Sequence, residues 1–185
     1  MKKLMIAAAI VCAAVVSQAA SCDWTVSEMY DWNDINLPEP SYAYANGYAT
    51  YFVVATSDFG VDEMKAALGE GDFSWMTTQK NQTPASPMVE GVANNSMDGF
   101  GNKETVNGFA VIFNNSDYAK ADYAYVSDIG SGTTGSEGQP TQINFDMTNS
   151  YDPSGWTKVE GVPEPTSGLL LLLGVAGLAL RRRRA

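Results

Sequence analysis

The chain has 185 residues, 45% of them hydrophobic, with 21 Asp/Glu against 11 Lys/Arg, no histidine and a formal net charge of −10. The missing histidine removes Ser-His-Asp and Cys-His catalysis, histidine general bases and histidine zinc sites. The acidic balance repels nucleic acid and anionic membrane surfaces.

The N-terminus, "MKKLMIAAAIVCAAVVSQAA", places Lys2 and Lys3 before an apolar run from Leu4 to Val16 and then small residues. That order is the signature of a secretory signal peptide, residues 1–19, with an N-terminal signal helix. Ser17-Gln18-Ala19 sets the cleavage point after Ala19, with Ala20 as the alternative. It also implies signal peptidase and the Sec export machinery as partners. Cys12 leaves with this segment, so Cys22 is the one thiol of the mature chain and no internal disulfide can form. Ala19-Ala20-Ser21-Cys22 loosely resembles a lipobox, although Ala stands where Leu is usual.

Between the two ends, residues 20–162 hold twenty acidic residues and five lysines (Lys65, Lys80, Lys103, Lys120, Lys158), a balance of −15. About 140 residues suit one domain, residues 20–161, with one core. In "SYAYANGYATYFVVAT", Asn46-Gly47 between alternating aromatic and small residues predicts a hairpin with its second arm over Tyr48–Ala55. "DFGVDEMKAALGEGD" sets Val61, Met64 and Leu68 at helical spacing behind an acidic start, predicting a short helix over Val61–Leu68, stopped at Gly69, that covers one end or edge of the sheets.

Two Gly/Ser/Asn/Asp-rich stretches, around 90–102 and from Gly130 to Pro140, read as loops. Gly108–Phe113 and Tyr123–Ile129 form a second strand pair. "TQINFDMT" supplies a strand with Ile143, Phe145 and Met147 on one face, and Trp156–Val159 a last short one. Many short strands with one helix predict a mainly β fold, an antiparallel β-sandwich.

The last stretch is "VPEPTSGLLLLLGVAGLALRRRRA". Thirteen uncharged residues, Gly168–Leu180, give a helix of roughly 20 Å against a hydrocarbon core of about 30 Å. Arg181, Arg182, Arg183 and Arg184 follow it. Each arginine at mid-bilayer costs about 2.5–3.5 kcal/mol, so the four stop transfer and stay on the cytoplasmic side. A thin helix over 167–180 suits a temporary hold better than a permanent anchor.

Val162-Pro163-Glu164-Pro165, the short Leu/Gly/Ala helix and the terminal Arg cluster together resemble the bacterial PEP-CTERM sorting domain. The resemblance covers residues 162–185 alone. It implies processing near the Pro-Glu-Pro motif by an exosortase, a membrane-embedded transpeptidase-like enzyme. It also implies a Gram-negative cell envelope, a transient stay in the cytoplasmic membrane and a final place on the cell surface or outside it, often in an exopolysaccharide or biofilm matrix. The two prolines keep Glu164 out of helical geometry, presenting one charge on an extended segment. Pro38-Glu39-Pro40 repeats the tripeptide inside the domain and reads as a loop.

Little else carries chemistry. A glycosidase needs two carboxylates about 5–9.5 Å apart, and among Asp58, Asp62, Glu63, Asp122 and Asp128 no spacing singles out a pair. Asn94–Gly99 and Asn114–Asp117 cluster oxygens that could suit calcium, yet neither follows an EF-hand pattern and both are ordinary turn formers. No other metal or cofactor is indicated. Trp24, Tyr30, Trp32, Tyr42, Tyr44, Tyr48 and Tyr51 could pave a sugar-stacking face or fill a core. The sequence therefore reads as an exported, non-enzymatic structural or adhesive matrix component, with a carbohydrate-binding module as the alternative and an acidic hydrolase as a third.

Overall fold

Apolar residues that alternate along the chain need a face to point at, and the computed structural model shows two such faces. It describes residues 19–78, 82–84, 87–136 and 138–160. In chain order the elements are strand β1 (Ala20–Ser27), a four-residue helix α1 (Trp32–Ile35), β2 (Ala49–Val54), helix α2 (Val61–Glu70) and a second short helix α3 (Trp75–Thr78). Then come β3 (Gln82–Pro84), β4 (Ala93–Phe100), β5 (Thr105–Phe113), β6 (Tyr123–Val126), β7 (Gly130–Thr133), β8 (Thr141–Asp146) and β9 (Trp156–Lys158). The fold is mainly β. The expected signal helix and C-terminal apolar helix lie outside the described residues, and among those described no helix is long and apolar enough to cross a membrane.

The smaller sheet has the order β4-β1-β8 and the larger one β3-β2-β5-β6-β9, with β7 added beside the start of β5. In β1 every second residue, Ala20, Cys22, Trp24 and Val26, is fully buried, the period-2 pattern of a half-covered strand. Its pairing with β4 is antiparallel, Trp24 opposite Asn95, but its pairing with β8 is parallel, Trp24 opposite Ile143. The expectation of a purely antiparallel arrangement is therefore corrected. A parallel neighbour needs a long crossover, and here all of β2 to β7 lies between the two strands.

The central strand β5 is buried on both faces from Gly108 to Phe113. Val106, Ala110 and Ile112 point into a core shared with Cys22, Trp24 and Val26 of β1 and Ile143 and Phe145 of β8. Phe109, Val111 and Phe113 point the other way, into a second core with Met64 and Leu68 of α2 and Trp75 of α3. Helix α2 thus covers the apolar face of the larger sheet at its β6–β9 edge, where that face must leave water. The helix also runs past Gly69 to Glu70 and ends at Gly71, in the left-handed conformation at φ 67°.

Between the sheets, Phe52 of β2 stacks on Trp24 at 5.7 Å and leans on Phe145 at 6.1 Å. Its ring lies over Gly108 in the neighbouring strand, where an added Cβ would stand 2.4 Å from Cζ. Bare backbone under a ring is what lets the ring fill the space between layers. At the far side β7 meets β8 in the same way. A Cβ on Gly130 would lie 2.5 Å from Ile143 and one on Gly132 2.3 Å from Thr141.

Several expected strands shift. The Asn46-Gly47 turn joins no hairpin: residues 41–45 form no strand beyond the Tyr30–Tyr44 bridge, and the Gly47 N–H donates to the Met88 carbonyl at 2.7 Å. The stretches around 90–102 and 130–140, expected as loops, contribute β4 and β7. The β5–β6 pair forms, with β5 starting earlier at Thr105 and β6 stopping at Val126 rather than Ile129. The buried face Ile143, Phe145, Met147 stands as expected, and β9 stops at Lys158.

Two outcomes follow from this packing. Phe52→Ala is expected to cost about 3–5 kcal/mol in urea unfolding, as a large cavity between layers should; a loss below about 1 kcal/mol would contradict a core shared by both sheets. Burial and the neighbouring Asp23 push the Cys22 thiol up to about 11. A thiol reagent at pH 8 should leave the native chain unmodified and react fully once guanidinium unfolds it.

Candidate functional site

Two places in the fold relate to the residues singled out by sequence, the ends of the folded part and one tyrosine-rich surface. At the N-terminal end Ala19 is exposed while Ala20 is fully buried as the first residue of β1, opposite Phe100. Cleavage after Ala19 leaves the strand whole, whereas cleavage after Ala20 removes a core methyl. Cys22 is buried among Trp24, Met97 and Ile143, so a lipid on its sulfur would have to stand inside the core.

At the other end the chain is tied down to its last described residue. The Val159 N–H donates to the Asp122 carbonyl at 2.8 Å and the Glu160 N–H to the Leu68 carbonyl at 3.2 Å. A Cβ on Gly71 would approach the Glu160 carbonyl oxygen to 2.8 Å, so the left-handed glycine that ends α2 also lets the chain exit pass close by. Val162, Pro163, Glu164, Pro165 and the four arginines Arg181–Arg184 lie outside the described residues.

The aromatics divide between core and surface. Trp24, Trp32 and Tyr48 are buried, and Tyr51 packs against the α2-side core. The Tyr48 hydroxyl donates to Asp31 Oδ1 at 2.9 Å and accepts the Trp32 N–H at 3.0 Å, which fixes the start of α1; burial, then Asp31, push its pKa up. Tyr30, Tyr42 and Tyr44 instead gather at the surface, and Tyr151 joins them. Tyr44 stacks on Tyr30 at 5.2 Å and 22°. Tyr42 and Tyr151 stand nearly perpendicular to Tyr30 and to each other, with centroids 6.1–6.4 Å apart. Tyr42, Tyr44 and Tyr151 are 51%, 44% and 49% exposed, an unusual cost in apolar surface to leave in water.

A stiff backbone frame holds the group. The Asp31 N–H donates to Ala43, Ala45 to Met29, Gly91 to Ala45 and Met29 to Gly91, all carbonyl bonds of 2.8–3.2 Å. Gly91, at φ 73°, sits where a Cβ would be 2.7 Å from the Met29 oxygen. Tyr42 itself holds φ 52°, a left-handed conformation uncommon for a bulky side chain. Buried Ser150 brings in the fourth ring: its Oγ accepts the Tyr30 N–H at 3.0 Å and its carbonyl accepts Trp156 Nε1–H at 2.9 Å. Tyr151 carries no periodic or motif signal, so only this long-range bond reveals it.

Beside the tyrosines a cleft of about 170 Å³ opens between β8 and the turn from β6 to β7, lined by Tyr125, Ser127, Asp128, Ile129, Asn144, Phe145, Asp146, Met147 and Asn149. Asp146 accepts from the Thr148 hydroxyl and N–H, which holds its carboxyl below the usual range. Tyr30 is pushed up, first by burial, then by Tyr44, Glu28 and Asp146. Burial and neighbouring charge thus favour the neutral phenol at Tyr30, and the bonds from Thr148 favour the ionised carboxyl at Asp146.

The other candidates separate. Asp58, Asp62 and Glu63 surround the start of α2, where Glu63 Oε2 accepts the Gly60 N–H at 2.9 Å, while Asp122 and Asp128 bracket β6. Asn94–Gly99 lies within β4. In Asn114–Asp117 the oxygens already serve the backbone: Asn114 Oδ1 accepts from Asp122 and Tyr123, and Asp117 Oδ1 from Ala119. Among the described residues no group of three or more Cys, Asp or Glu could hold a metal ion.

Ser150→Ala should leave the part-buried Tyr30 N–H without its partner and cost about 1 kcal/mol. Thermal unfolding would check this, and an unchanged midpoint would show that Ser150 does not hold the tyrosine frame. No curated protein and no solved structure matches the chain. One family model does, over residues 161–184, beginning at the residue after Glu160. The chain carries a PEP-CTERM protein-sorting motif that starts at the residue after Glu160, whose N–H is bonded to the end of α2.

Proposed function

We propose that this chain is exported, held for a time in the cytoplasmic membrane, and processed by an exosortase into a non-enzymatic structural or adhesive component of an exopolysaccharide matrix. The match to the sorting motif over residues 161–184 carries the reading. The described part fits as cargo, two facing sheets that we read as an open β-sandwich, backed by α2. Its mature charge of −15 keeps it soluble and away from anionic headgroups. Glu164 is then a recognised residue of the substrate, and Arg181–Arg184 stop transfer at the cytoplasmic side. In the non-enzymatic reading the carboxylates serve caps and turns, as Glu63 and Asp117 do.

The position of the motif adds a geometric condition. Pro163 is three residues beyond Glu160, at most about 11 Å of extended chain. An enzyme acting at the Pro-Glu-Pro segment therefore works within that reach of the corner formed by β9 and the end of α2.

A second reading, a carbohydrate-binding module on the same fold, is favoured by the surface group Tyr30, Tyr42, Tyr44 and Tyr151.

Intact mass of the protein recovered from surface and medium, beside a Glu164→Ala variant, tests the main reading. The expected native species ends near Pro163–Pro165, begins at Ala20 and disappears in the variant. A mass that retains Arg181–Arg184 in both would leave a simple membrane-tethered protein. A diacylglycerol adduct on Cys22 would instead make it a lipoprotein.

A further inference from the structure

From the cleft beside the tyrosine group we infer a glycan-binding site selective for neutral or amino sugars over uronic acids. This rests on the reading of the chain as a surface or matrix component and names what it would hold.

Two independent features converge there. The cleft, about 170 Å³, offers the polar ends of Asp128, Asn144, Asp146 and Asn149 around the half-buried ring of Tyr125. Open to solvent on one side and mostly polar in its lining, the cleft can take part of one six-membered sugar ring. Amide and carboxylate oxygens can accept from sugar hydroxyls, and amide nitrogens can donate to them. Outside the cleft, Tyr42, Tyr44 and Tyr151 present half-exposed rings, with an apolar face for sugar C–H groups and a hydroxyl at the edge.

The two features are one surface. Met147 and Asn149 line the cleft, and the next two residues join the tyrosine group, Ser150 through its bond from the Tyr30 N–H at 3.0 Å and Tyr151 by packing against Tyr30. The frame that fixes the rings is built before any ligand arrives, through Ser150 and the bonds among residues 29–31, 43–45 and 91. Preorganised rings lose little freedom on binding, which suits a weakly polar, repetitive ligand.

Charge sets the selectivity. Asp146 is held ionised by Thr148, and Asp128 lies across the same cleft. Against a mature charge of −15, a uronate polymer is repelled, a neutral glycan is indifferent, and a protonated amino sugar gains attraction and cation–π contact.

The test is calorimetric titration of the full-length chain, purified in detergent, with glucosamine oligomers, their N-acetylated form and an oligo-uronate. Binding of the first two and not the third is expected. Tyr42→Ala and Tyr151→Ala should each weaken it roughly two- to tenfold. Asp146→Asn should narrow the preference for the unacetylated oligomer, with unfolding midpoints confirming that all three variants fold. Equal binding of the uronate, indifference to both tyrosine changes, or no binding to any oligomer would overturn the proposal. Intact-mass processing at Glu164 would still report separately on sorting.

Discussion

The constraint on which the rest depends is the double burial of β5, whose residues from Gly108 to Phe113 leave water on both sides. A strand in that position needs a layer against each face, and the two layers come from different parts of the chain. On one side Ala110 and Ile112 meet the sheet built on β1. On the other Phe109, Val111 and Phe113 meet α2 and Trp75. Phe52 joins the first pair of layers by lying flat across Gly108, and glycines 130 and 132 let β7 close against β8. Glycine here is a packing requirement imposed by neighbouring side chains rather than a freedom of the backbone.

The same layering sets the positions of the functional surfaces. β1, the middle strand of the small sheet, starts at the fully buried Ala20, the residue after the expected signal peptide. β9 is the edge of the large sheet, and just beyond it the Glu160 N–H bonds the Leu68 carbonyl at the end of α2. The sorting motif starts at the next residue. The tyrosine group occupies the opposite kind of place, the surface where the turns after β1, before β2, before β4 and after β8 are stitched together.

Legibility varied with the range of the interaction. The β5–β6 pair was readable because alternation, a polar connecting loop and apolar content agree locally, and Ile143, Phe145 and Met147 showed their common face by spacing alone. Strand β4, "ANNSMDGF", has the composition of a loop and is a strand only because β1 supplies its hydrogen bonds. The Asn46-Gly47 turn misled for the complementary reason. Its local signal is strong, but Tyr44 pairs only through an isolated bridge to Tyr30, and Gly47 bonds to Met88. The aromatic candidates divided by long-range contacts: Trp24, Trp32 and Tyr48 went to the core, and Tyr151 entered the surface group through Ser150, 120 residues from Tyr30.

The sequence by itself determined the sorting tail, the mainly β character and the acidity of the mature part, since each is written in contiguous residues or in composition. The signal-peptide reading rests on the same kind of local order. Tertiary structure decided which strands pair, that β1 and β8 run parallel, which aromatics remain at the surface, and that a polar cleft lies beside them. Those outcomes depend on hydrogen bonds and ring contacts between residues far apart in the chain. Alternation along one segment says that a face will be covered and carries no record of what will cover it.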